Sequence, residues 1–248
     1  MRYLILSDIH ANLEAFEAAL EMARGEYDRA VCLGDVVGYG PDPNAVIGLL
    51  QQTVSSVIRG NHDKACGGIT DAEDFSPFAK TAALWTRLYL SPEHTAFLRQ
   101  LQRGPIAMDG FEMVHGSEED EDQYLFDAAE VIPALRNQAV QLVLFGHTHH
   151  QGGFALNHAG VFKAIAVRSR RKGRVMSVDL KDRTRYLINP GSVGQPRDGD
   201  WRAAFAILDE SKRRVDFYRA PYDLASTQRK MSQAGLPEFL IQRLRVGR

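Results

Sequence analysis

Five short polar blocks, each directly after an apolar run, constrain the fold of this chain more than any other feature. Asp8 and His10 follow Tyr3 to Leu6, Asp35 follows Arg29 to Leu33, and Asn61 follows Ser55 to Ile58. His115 closes the run from Phe111, and His147 and His149 follow Gln141 to Phe145. Apolar runs of this length, bounded by Gly or polar breaks, read as buried strands. Every block is therefore expected where a strand gives way to a loop, which is where open α/β sheets collect ligands.

Between the strands lie helical patterns. Leu13, Phe16, Leu20 and Ala23 mark one apolar helix face, and Pro43 to Gln51 reads as a second helix with Pro in its first turn. The alternation predicts a mainly parallel first sheet. Residues 71 to 103 break the pattern, with helical spacing at Phe78, Ala82, Trp85 and Leu88 and a Ser91-Pro92-Glu93 helix start; two inserted helices are expected, forming a lid beside the blocks. A helix is predicted over Asp127 to Asn137. Beyond Gly152 short strands and polar turns predict a second, largely antiparallel sheet, ending in a hairpin across Glu210-Ser211-Lys212. From Tyr222 the tail reads as helical, interrupted at Gly235-Leu236-Pro237. With 248 residues and 44% hydrophobic content the chain can bury a large core, and residues 1–248 are read as one domain.

The residue types of the blocks suit divalent cations. Two ions about 3.5 to 4 Å apart need a bridging ligand, and a carboxylate supplies two oxygens; Asp35 is the candidate bridge. Mixed imidazole and carboxylate donors fit Mn, Fe, Zn or Ni better than Ca, with Mn favoured, and neutral Asn61 can add a carbonyl oxygen. The alternate spacing in Asp8-Ile9-His10 and His147-Thr148-His149 would put both side chains of each pair on one side of an extended backbone. Only two cysteines occur, Cys32 in an apolar run and Cys66 after the Asn61 block, which excludes a disulfide framework and fits a reducing, cytoplasmic setting. The apolar stretch at the N-terminus is too short for a signal peptide or membrane span.

In this order the blocks Asp-x-His, Gly-Asp, Gly-Asn-His-Asp, His and Gly-His-x-His resemble those of the calcineurin-like metallophosphoesterase superfamily. The late segment Asn189-Pro190-Gly191-Ser192-Val193-Gly194-Gln195-Pro196-Arg197 is similar to a loop of its bacterial and archaeal phosphodiesterase branch. The resemblance implies a four-layer α/β/β/α sandwich of two central sheets. It also implies two metal ions, one held by Asp8, His10, Asp35 and His149 and the other by Asp35, Asn61, His115 and His147. A metal-bridging hydroxide would attack phosphorus, and His62 would contact the phosphate and protonate the leaving group.

One departure bears on the substrate. Protein phosphatases of the superfamily carry Asp-Arg-Gly where this chain has Gly38-Tyr39-Gly40, so the Arg that clamps a dianionic monoester is missing. A phosphodiester of a small or nucleotide-like molecule becomes the preferred substrate, with Tyr39 and Arg197 as candidate contacts. The carboxylate that orients the catalytic His in those enzymes is missing too, leaving Asp63 or Asp42 as the substitutes in reach.

Three alternatives carry different signatures. A phosphomonoesterase or protein phosphatase would favour monoesters, and a scaffold like the retromer subunit of the superfamily would hydrolyse nothing. A nuclease would need a basic surface; with a net charge of −1 the one concentrated run is Arg168 to Arg174, which reads first as a solvated hairpin tip, so nucleic acid is not the favoured partner. The sequence leaves the oligomeric state open.

Overall fold

Strand β1 (Arg2–Leu6) is apolar at every position from Tyr3 to Leu6 because both of its faces are covered. In the computed structural model, which describes residues 1–167 and 173–248, Tyr3 and Ile5 point into a core between two sheets, whereas Leu4 and Leu6 point outward against helices. Strand β6 (Leu142–Leu144) repeats this on the other side: Leu142 and Leu144 face the inter-sheet core, and Val143 faces a helix. The result is a four-layer α/β/β/α sandwich. Each fully buried Leu or Phe side chain contributes about 1.5–3 kcal/mol, so the inter-sheet layer of Tyr3, Ile5, Leu33, Phe111, Leu144 and Phe217 is a principal source of stability.

Each sheet has six strands. The first runs β3 (Ser56–Val57), β2 (Arg29–Cys32), β1, β11 (Ala203–Asp209), β12 (Arg214–Ala220), β9 (Gly173–Asp179). The second runs β4 (Ile106–Met108), β5 (Phe111–Met113), β6, β10 (Thr184–Asn189), β7 (Gly152–Asn157), β8 (Phe162–Ala166). Pairing is parallel along β1, β2 and β3 and along β5, β6 and β10, and antiparallel elsewhere. The expectation of a mainly parallel first sheet, with the strands beyond Gly152 forming a separate, largely antiparallel one, is therefore corrected. Strands after Gly152 divide between the two sheets, so each combines two parallel with three antiparallel pairings. Local periodicity reports which face of a strand is buried, and the partner strand is chosen by tertiary packing.

The helices follow their sequence signals closely. Helix α1 (Leu13–Ala23) is capped by Asn12, whose Oδ1 accepts from Ala15 N at 3.2 Å; α2 (Pro43–Thr53) starts on its proline. Helices α4 (Pro77–Tyr89) and α5 (Pro92–Gln100) start on Ser76 and Ser91 caps, and α6 (Ala128–Asn137) on Asp127. A short helix that the sequence pattern does not signal, α3 (Asn61–Cys66), begins at the third ligand block. The tail forms α7 (Leu224–Gln233) and α8 (Glu238–Val246), broken where Gly235 to Pro237 intervene. Leu240, Ile241 and Leu244 of α8 pack with Tyr39 and with Ala79 and Ala82 of α4, which carries the tail across to the ligand loops. Among the described residues no helix is long and apolar enough to cross a membrane.

Asn12 does more than cap α1, since its Nδ2 also donates to Gly194 O at 2.9 Å. Asn12→Ala is expected to cost about 1–2 kcal/mol of unfolding free energy, or about 2–8 °C in Tm for a chain of this size. Thermal and urea melts check it, and unchanged midpoints would show that neither bond stabilises the fold.

Candidate metal centre

Parallel strands in both sheets place their C-terminal ends at the same edge of the sandwich. Asp8 and His10 leave the end of β1, Asp35 the end of β2, and Asn61 opens α3 after β3; His115 leaves β5, and His147 and His149 leave β6. The chain turns sharply at these points. Asp8, His10, Asp35, His147 and His149 have φ between 51° and 64°, as does Tyr39 at 60°. Left-handed backbone in non-glycine residues costs free energy of order 1–3 kcal/mol each and clusters at functional sites. The paired spacing of Asp8 with His10 and His147 with His149 thus brings the side chains together through left-handed turns, not through the extended backbone expected from the alternation.

All seven candidate ligands meet in two groups that share one carboxylate. Asp8, His10, Asp35 and His149 present donor atoms within 4.8 Å of one another, and so do Asp35, His115 and His147. Asn61 joins the second group, its Oδ1 lying 3.4 Å from His115 Nε2. Asp35 Oδ2 is 3.6 Å from His10 Nε2 and 3.4 Å from His115 Nε2, the position a bridge requires.

The outer contacts fix each imidazole for metal binding. His10 Nδ1 lies 3.1 Å from Val37 O, His149 Nδ1 2.6 Å from Gln195 O, and His115 Nδ1 2.7 Å from Leu33 O. Donation of Nδ1–H to each carbonyl leaves Nε2 as a lone pair. His147 is turned the other way: Nε2 donates to Asp122 O at 3.0 Å and Nδ1 is left as the lone pair. With these tautomers His10 Nε2 and His149 Nε2 face each other at 3.1 Å with no proton between them, an unfavourable contact that a cation relieves. Asp8 Oδ2 and Asp35 Oδ2 are buried with no hydrogen-bond partner, which is costly unless a cation supplies the compensation. The donor set and the orphaned oxygens fit divalent metal.

The charges point the same way. Burial works against ionising Asp35, but the facing His115 holds it well below the usual carboxylate range, while Asp35 overcomes the burial of His115 and drives it up to about 10. Burial pushes Asp8 up to about 7 and His10 and His149 down. Asp35 and His115 thus pull each other toward the charged form, and a divalent ion held by the clusters would take over that role.

The late loop straps the ligand loops together. Ser192 Oγ donates to Asp8 O at 2.7 Å, Val193 N to Ser7 O and Gly194 N to Asp8 O at 3.0 Å, and Asn189 Nδ2 to Gly146 O at 2.8 Å. On the other flank Arg59 and Lys64 bond Glu121, and Lys64 bonds Asp122, which anchors the segment whose carbonyl orients His147.

A cavity of about 450 Å³ opens beside the centre, lined by Asn61, His62, His147, Tyr39 and Arg197 together with Phe75, Tyr124 and Arg243. His62 is buried, its ring packed between Tyr39 (4.3 Å) and Phe75 (4.6 Å). Neither candidate carboxylate serves it. Asp63 is occupied by the main-chain N–H groups of Val36, Val37 and Gly60, and Asp42 by Lys230. His62 Nδ1 has no partner, and it faces Gly38, where a Cβ would come within 2.5 Å of it at a backbone φ of +86°. Burial lowers His62 to about 4 against the pull of Asp35.

Tyr39 and Arg197 come together: Arg197 Nη2 donates to the Tyr39 hydroxyl at 3.2 Å and to Gln195 Oε1 at 3.1 Å, with its guanidinium 5.7 Å from the ring centre. The expected lid is smaller than the sequence pattern suggests. Only the loop of residues 70 to 76 and the first turn of α4 line the cavity, whereas α5 packs behind α3. Cys66 is a buried core residue and Cys32 likewise; both thiols are free. Five contributors lie outside the sequence reading: Phe75, the Asp122 carbonyl, Tyr124 stacked 3.9 Å from His147, the stapling role of Asp63, and Arg243. A main-chain carbonyl and a residue from a remote helix leave no local signal, though Asp63 at the third turn position after Gly60 was legible as a cap. Of the basic run, positions 168 to 172 lie outside the described residues; Arg174 is half exposed, 3.8 Å from Asp216.

Two mixed sheets meeting over a shared-carboxylate pair of His/Asp clusters define a metallophosphoesterase. The calcineurin-like phosphoesterase superfamily domain matches residues 1–213, and the chain belongs to that superfamily. It is 31% identical to the uncharacterized protein MJ0912 of Methanocaldococcus jannaschii, over 98% of this chain and 97% of that protein. A crystal structure of a metallophosphoesterase from Sphaerobacter thermophilus superposes with a TM-score of 0.84 at 37% identity, covering 100% of this chain and 99% of that one. The hypothetical protein PH1004 from Pyrococcus horikoshii shares the fold, with a TM-score of 0.79 at 22% identity over 100% and 98% of the two chains.

Proposed function

We propose that this protein is a two-metal phosphoester hydrolase that prefers phosphodiesters of small or nucleotide-like molecules. The observation that carries the reading is Asp35 Oδ2, buried without a hydrogen-bond partner between two groups of donor atoms, beside a cavity that Asn61 and His147 line and that is large enough for such an ester. When bound, two divalent ions, Mn by preference, supply Lewis-acid neutralisation of the phosphoryl charge and lower the pKa of water toward 7. Asp8, His10, Asp35 and His149 would hold one, and Asp35, Asn61, His115 and His147 the other.

The remaining steps fall to the chain itself. His62, without a carboxylate behind it, is a neutral imidazole that offers a ring N–H to the phosphoryl or leaving oxygen instead of a standing positive charge. Phe75 and Tyr39 hold that ring in place and keep water from it. Tyr39 replaces a clamp arginine with a neutral hydroxyl, and Arg197 on the same wall spends Nη2 on that hydroxyl and on Gln195 Oε1, so it presents no free fork at the Tyr39 position. No preformed fork therefore selects a dianion, which supports a singly charged diester. We take residues 1–248 as one functional unit, because residues 70 to 76 and α8 both contribute to the cavity wall. Free, buried cysteines support a reducing compartment such as the cytoplasm.

Mn-loaded protein is expected to cleave bis(p-nitrophenyl) phosphate with kcat/KM at least about tenfold above p-nitrophenyl phosphate, the worth of one charge-assisted contact. A higher value for the monoester would transfer the reading to a phosphomonoesterase.

A further inference from the structure

Arg197 and Arg243 reach the cavity from parts of the chain that carry none of the ligand blocks, one from the loop after β10 and the other from α8. Other charges also line the wall. Lys64 holds Asp122 and Lys80 holds Glu73, while Asp71 and Asp74 lie on the exposed rim. Neither arginine is paired with a side-chain carboxylate among the described residues. Arg197 bonds the neutral groups of Tyr39 and Gln195, and its Nε is buried without a partner. Arg243 bonds only the main-chain oxygen of Arg248 through Nε and rests 5.4 Å from the Phe239 ring, which leaves its terminal nitrogens unengaged. The two cations act on each other: burial lowers Arg243 to about 10, and the like charge of Arg197 adds to the effect. Two guanidiniums that line one cavity, neither bonded to a side-chain carboxylate among the described residues, disfavour each other, and an anion between them reverses the sign.

A diester phosphoryl carries one negative charge, which the metal centre would already compensate. The extra pair of cations therefore matches negative charge beyond the scissile group. We propose that Arg197 and Arg243 form an anion subsite next to the metal centre, so that the preferred substrate is a phosphoester bearing a second phosphoryl group beside the one cleaved. Arg243 is the specificity-determining residue of this subsite. The proposal rests on the hydrolase reading for the position of the scissile group, and the subsite itself is tested by binding.

Calorimetric titration of Mn-loaded protein with methylphosphonate and with methylenediphosphonate compares one phosphoryl group with two, free of turnover. Arg243→Gln is expected to weaken methylenediphosphonate by about tenfold and methylphosphonate by less than about twofold. Equal weakening of both, or of neither, overturns the subsite. Arg243→Lys keeps the charge and the stem on Phe239, and carries the test if loss of charge loosens α8. A partial loss confined to the diphosphonate supports the subsite, and a loss shared by both ligands overturns it. Discrimination by a protein that hydrolyses no ester would leave the subsite standing and remove the hydrolase reading; hydrolysis with Arg243→Gln binding both ligands like the wild type would do the reverse.

Discussion

Asp35→Asn is expected to lower Mn-dependent phosphodiester hydrolysis by about 10³-fold or more, with the native fold retained. Removing a single hydrogen-bond donor from a transition-state site costs about 10²–10³ in kcat, and Asp35 contributes a full charge to two donor groups at once. The amide keeps the size and keeps an oxygen for the main-chain N–H of His62, which Asp35 Oδ1 now accepts at 2.9 Å. It loses the charge that raises the pKa of His115 and that both cations would share. Steady-state kinetics at saturating Mn, with metal content measured on the same samples, checks this. A loss of less than about tenfold would mean that Asp35 is not the bridge, since a tenfold change corresponds to only about 1.4 kcal/mol.

His62→Ala is expected to lower kcat by about 10²–10³, the worth of one hydrogen-bond donor aimed at developing charge, with metal content unchanged. Geometry separates the two variants. His62 Nδ1 faces Gly38 and bonds nothing, and the ring belongs to neither donor group. Its substitution should therefore remove chemistry and leave the metal sites intact, whereas Asp35→Asn removes both. Unchanged turnover in His62→Ala would favour a reaction that needs no such donor; loss of metal would show that the ring helps to build the centre.

The ligand residues were legible in the sequence because strand ends can be read locally. A buried strand is a short apolar run, and a polar block after it in an α/β chain has one place to go. That logic placed Asp8, Asp35, His115 and His147 on a common edge without knowledge of strand order. Sheet membership after Gly152 was not legible, since β7 and β9 have similar strand patterns yet enter different sheets. The turns at Asp8, His10, His147 and His149 were also hidden, because non-glycine residues there give no composition signal for left-handed backbone. The wall supplied by Arg243 depends on α8 crossing to α4, a contact between segments some 160 positions apart. Such contacts are decided by the shape of the assembled core.

The surroundings of His62, which lower its pKa, show the same limit. Gly38 in place of a carboxylate was visible in the sequence, and the structure explains its effect: the freed space is occupied by the His62 ring itself. The nearby acids are engaged elsewhere, Asp63 as a staple for three main-chain N–H groups and Asp42 with Lys230.

Whether one carboxylate joins two cation sites is read from the number of Mn ions bound per chain, by calorimetric titration of chelator-stripped protein with elemental analysis of the product. Two ions per wild-type chain, falling to one or none in Asp35→Asn, is the predicted result. A wild-type chain that takes up no ion at saturating Mn, or two ions bound undiminished in Asp35→Asn, would contradict it.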